Sequence, residues 1–90
     1  MMSLLDQLVE CSGETVTVRK NNAGKFIVMF EHCDVYDGVG VLGVFGEGGT
    51  VGYAVKDYIN KISGKRLVFN FNTESERYAK FIFFKDVGVC

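Results

Sequence analysis

The chain has 90 residues, 48% of them hydrophobic and 13% aromatic, and its ten basic and eleven acidic residues leave a formal charge of −1. That composition excludes whole-chain disorder, and the interspersed signs argue against the clustered basic surface of a domain living on phosphate contacts. Residues 1–90 are therefore expected to form a single small domain with a dense aromatic core.

Ser3 to Cys11 places Leu4, Leu5, Leu8 and Val9 at helical spacing, with Ser3 as N-cap, Asp6 as its capping-box partner and Gly13 as the stop. From Glu14 the period becomes two, with Val16 and Val18 alternating against Thr15, Thr17 and Arg19, which predicts a strand. Asn21 to Gly24 makes a turn, and Lys25 to Cys33 (KFIVMFEHC) reads as the returning strand of a hairpin. A polar turn is expected from Asp34 to Gly38, then a third, glycine-containing strand from Gly40 to Gly46. Thr50 caps the strongest helical pattern, in which Val51, Ala54, Val55, Tyr58, Ile59 and Ile62 share a face, and Gly64 is expected to end it. Lys65 to Asn72 reads as a fourth strand, TESER as a turn, and Tyr78 to Val87 as a fifth strand. The order αβββαββ predicts an α+β domain, a mainly antiparallel sheet with helices packed on one face.

The three cysteines Cys11, Cys33 and Cys90 show no C-x-x-C spacing, which predicts a reduced, cytoplasmic protein. The apolar run Phe81 to Phe84 is far shorter than the ~18 residues of a membrane span.

Chemistry-bearing motifs are few. DGVGVLGVFGEGGT contains a formal G-x-G-x-x-G at Gly38, Gly40 and Gly43, but Val44 and Phe45 follow where a dinucleotide fold needs a helix. Gly46, Gly48, Gly49 and Thr50 do precede a helix and form the candidate anion-binding turn, with Glu47 working against a phosphate there. Glu31, His32, Cys33, Asp34 and Asp37 carry ligand-type side chains, yet neighbours on a strand point to opposite faces, so no metal site and no Cys–His catalytic pair is expected. No cofactor is expected. Lys25, Lys65, Arg66 and Phe71 form the candidate nucleic-acid surface, by analogy with strands that stack bases on aromatic rings. In the last strand Tyr78, Lys80, Ile82 and Phe84 share a face while Phe81 and Phe83 occupy the other. A strand apolar on both faces needs a second covering surface, which makes the first set the candidate partner-binding residues.

The segment from Gly24 to Phe69 resembles the N-terminal domain of HicB-type antitoxins, in which a G-x-T turn opens a helix like TVGYAVKDYINKI. It is also similar to small accessory proteins of tailed bacteriophages. There a G-x-T turn is followed by an Ala-x-x-Asp-Tyr helix and an Ile-x-Gly-Lys-x-Leu-Val-Phe strand, here Gly48 to Thr50, Ala54, Asp57, Tyr58 and Ile62 to Phe69. The antitoxin resemblance implies a regulatory, nucleic-acid-linked protein, although that family carries a C-terminal DNA-binding module where this chain shows a β-hairpin. The phage resemblance implies a small non-enzymatic protein that binds and blocks a host protein. The expected function is thus a non-catalytic protein-interaction module, self-associating as a homodimer through its sheet, with nucleic-acid binding as the alternative.

Overall fold

A computed structural model describes residues 3–80. Helix α1 (Leu4–Ser12) starts with the expected capping box: the Ser3 hydroxyl accepts from the Asp6 N–H, and the Asp6 carboxylate accepts from the Ser3 N–H. Gly13 ends it at φ 68°, a left-handed cap that glycine adopts without a Cβ penalty. Strands β1 (Val16–Lys20) and β2 (Phe26–Phe30) form the predicted antiparallel hairpin. Its turn is tied by Asn21 Oδ1, which accepts from the N–H groups of Ala23 and Lys25.

Beyond Phe30 the chain departs from the expected single strand to Cys33. His32 sits at φ 55° and turns the backbone, so that β3 (Cys33–Tyr36) leaves the first sheet and enters another. The polar turn expected at Asp34 to Gly38 is therefore mostly strand. The actual turn is shorter and follows it: Asp37 Oδ1 accepts from the N–H groups of Val39 and Gly40. Those two bonds hold the exposed Asp37 carboxyl below its ordinary value.

The expected third strand also divides. Its first part, β4 (Val41–Leu42), pairs with β3, while β5 (Gly46–Gly48) pairs with β2. Helix α2 (Val51–Ile62) follows, capped by Thr50, whose hydroxyl accepts from the Tyr53 N–H. Ser63 is its C-cap and Gly64, at φ 77°, comes one residue later. Strand β6 (Arg66–Phe69) is shorter than predicted because Asn70 at φ 56° breaks it; β7 (Arg77–Lys80) is the last described strand. The positions beyond Lys80, including Ile82 and Phe84, lie outside the described residues.

The result is an α+β fold, as its pattern predicts, but with two antiparallel sheets where one was expected: β1-β2-β5 and β4-β3-β6-β7. Helix α2 packs on β5 and β2, and α1 packs on α2. One core joins them. Val28 and Phe30 from the first sheet, Cys33, Val35, Leu67 and Phe69 from the second, and Val55, Tyr58 and Ile62 from α2 are all buried in it. Each such large side chain contributes about 1.5–3 kcal/mol of burial. Tyr58 is central: its ring meets Phe30 edge-on at 5.4 Å, and its hydroxyl accepts from the Phe30 N–H at 3.1 Å.

Candidate interaction face

The glycine turn is consumed by the fold. A Cβ on Gly46 would lie 2.2 Å from the Ala54 carbonyl oxygen, and one on Gly48 would lie 2.6 Å from the Ala54 nitrogen. These two glycines let α2 press directly on the β5 backbone. Other polar groups nearby are engaged as well. The Glu47 N–H donates to Asp57 Oδ2 at 2.9 Å, the Glu47 side chain accepts from Asn21, and the Thr50 hydroxyl serves as helix cap. Partial desolvation of Asp57 is outweighed by its bonds from Lys61 and the Glu47 N–H, and its carboxyl stays below the ordinary value. Of the three candidate glycines, Gly49 alone has open space where a Cβ would stand.

The His32–Asp34 cluster is pulled apart by strand geometry. Cys33 is 3% exposed, and burial pushes its thiol up to about 12 against a bond from the Tyr58 hydroxyl, which suits a neutral core side chain and not a thiolate nucleophile. Burial likewise raises the Tyr58 hydroxyl. His32 leans on Glu31, its Nε2 at 3.5 Å from the carboxylate. Among the described residues no three His, Cys, Asp or Glu side chains gather in metal-binding range. An open depression of about 660 Å³ lies at this corner, lined in part by Met29, His32, Asn70 and Phe71.

The second sheet offers a different surface. Register places Cys33, Val35, Leu67 and Phe69 on the core side, so Asp34, Tyr36, Arg66, Val68, Tyr78 and Lys80 share the opposite side and point away from α2. Two rows cross it. One reads Val41, Tyr36, Arg66 and Lys80 on four successive strands, the other Asp34, Val68 and Tyr78 on three.

Tyr36 and Tyr78 stand two strands apart and in adjacent rows, so their backbones are separated by about 12 Å. Their ring centroids nonetheless lie 5.8 Å apart at 86°. The rings must lean towards each other across β6, and they roof Val68, which is fully buried although it is absent from the central core. Tyr78 remains 48% exposed. Its hydroxyl, raised by desolvation and then by Glu76, donates to the Glu76 carboxylate at 3.4 Å. Arg66 and Lys80 face each other directly, a like-charge pairing that costs stability in an isolated sheet, and neither joins a salt bridge among the described residues.

Of the sequence-predicted partner residues, Tyr78 and Lys80 belong to this face. Of the nucleic-acid candidates only Arg66 does: Lys65 immediately precedes it, Phe71 lies past the other end of β6, and Lys25 belongs to the hairpin of the first sheet. Sequence reasoning missed Asp34, Tyr36 and Val68. The alternation of CDVY carried the signal, masked by the turn-forming character of Asp34 and Asp37.

No family model, curated protein or solved structure matches the chain. No described helix is long and apolar enough to cross a membrane.

Proposed function

We propose that the chain is a non-catalytic protein-binding module, of the kind a phage-encoded protein would use to occupy and block a host protein, and that it works through the outer face of β4-β3-β6-β7. The observation that carries this reading is the Tyr36–Tyr78 pair roofing Val68 on a face turned away from the helices. Tyrosine and arginine dominate binding hot spots, and rings already held against each other lose little conformational freedom when a partner arrives. The test is capture of partners by the tagged protein, compared between wild type and Tyr36→Lys/Tyr78→Lys, with circular dichroism to confirm that the variant folds. A specific partner retained equally by the folded double variant removes this face from the function.

A second reading, nucleic-acid binding, is favoured by Arg66 and Lys80 standing beside two aromatic rings. It predicts salt-sensitive binding of a single-stranded oligonucleotide that weakens in Arg66→Ala/Lys80→Ala. No binding at low salt eliminates it.

A further inference from the structure

We infer that the partner of this face includes a second copy of the chain, docked about a two-fold axis lying along the Tyr36–Val68 diagonal. The inference rests on the binding face proposed above and adds the identity and geometry of its occupant. On the two central strands, Asp34 opposes Val68 and Tyr36 opposes Arg66. The four side chains form a block with its two charges on one diagonal and its apolar pair on the other. Among the described residues, neither Asp34 nor Arg66 is in a salt bridge within the copy.

A two-fold axis in the plane between two facing sheets exchanges points on either side of itself. Set along the Tyr36–Val68 diagonal, it lays Arg66 of each copy over Asp34 of the other and brings the two tyrosine roofs together. Opposite charges therefore meet twice by symmetry. The block measures roughly 4.8 Å between strands and 6.8 Å between same-face residues along a strand, so the axis runs oblique to both directions. The strands of the two copies then cross at about 70°, nearer to the orthogonal than to the aligned arrangement of stacked sheets. The pairing also gives Arg66 an anion beside Lys80, offsetting the repulsion that a single copy carries.

Charge exchange tests this pairing. Solution mass is measured by light scattering across a dilution series for wild type, Asp34→Arg, Arg66→Asp and the double exchange Asp34→Arg/Arg66→Asp, with thermal melts to confirm folding. The wild type is expected to be a dimer. Each single reversal sets like charges against each other twice, which raises the dissociation constant by at least about tenfold, and the double exchange restores the dimer. Salt near ~1 M, where the Debye length is ~3 Å, narrows the differences between variants. A monomeric wild type, a dimer indifferent to both reversals, or single-variant monomers that the double exchange does not restore each overturn the inference. A monomeric wild type whose captured partner is still lost on Tyr36→Lys/Tyr78→Lys overturns self-pairing and leaves the binding reading standing.

Discussion

The two sheets of this fold meet a shared core from opposite ends of the same packing problem. The first lies under α2, and its edge strand β5 gives up side chains at Gly46 and Gly48 so that helix backbone can rest on strand backbone. The second turns one face to the core and leaves the other with two tyrosines, two cations and an aspartate. Glycines that resemble a ligand cradle in sequence are thus structural, while the residues open to a partner sit in strands whose other face reads as ordinary core. Glycine in a loop signals function only when something other than the protein occupies the space it leaves.

The sharpest way to break this contrast is to put a methyl group where the first sheet has none. Gly46→Ala is expected to cost more than about 3 kcal/mol, because the obstructing atoms are helix backbone and cannot rotate away. Gly49→Ala, with open space around it, is expected to stay within about 1 kcal/mol in the same urea titration.

Tyr58→Phe removes the buried hydroxyl that accepts from the Phe30 N–H and contacts Cys33. A loss of about 1–2 kcal/mol is expected.

Stability should also fall in alkali. The Cys33 thiol rises from an ordinary 9.0 to about 12 in the fold, so the unfolded chain releases that proton first. The stabilising contribution of the neutral thiol is complete below pH 9 and is lost as pH climbs from 9 towards 12. Tyr58, raised from 10.0, adds a loss of the same sign at higher pH. Urea midpoints measured upward from pH 8 should decline past pH 9, and Cys33→Ala should flatten the first part of that decline.

A modest stability effect is expected at the second sheet. Tyr36→Ala is expected to cost no more than about 1–1.5 kcal/mol, the order of an aromatic pair and some uncovered Val68 surface. Its effect on partner binding should be far larger, and equal losses in both would erase the distinction between packing surface and working surface.

Much of the fold is legible from periodicity. Both helices, their N-caps and the first hairpin follow from spacing and from Ser3, Thr50 and Asn21, since these are local effects. The division into two sheets is not. It depends on His32 and Asn70 adopting left-handed backbone, a conformation their side chains tolerate but do not announce as glycine would. The candidate face was half visible: Tyr78 and Lys80 follow from alternation within one strand, whereas joining them to Tyr36, Asp34 and Arg66 needs the cross-strand register, which no single segment contains.

The corner between β2 and β3 is fastened on both sides. Just before it the Phe30 amide donates to Tyr58 of α2, and just after β6 the Asn70 amide donates to the His32 carbonyl. The corner therefore cannot open without loosening the helix and the second sheet together. In deuterated solvent the amides of Phe30 and Asn70 should exchange with similar, late kinetics, as members of one cooperative unit, while the amides of the Asp37–Gly40 turn label early.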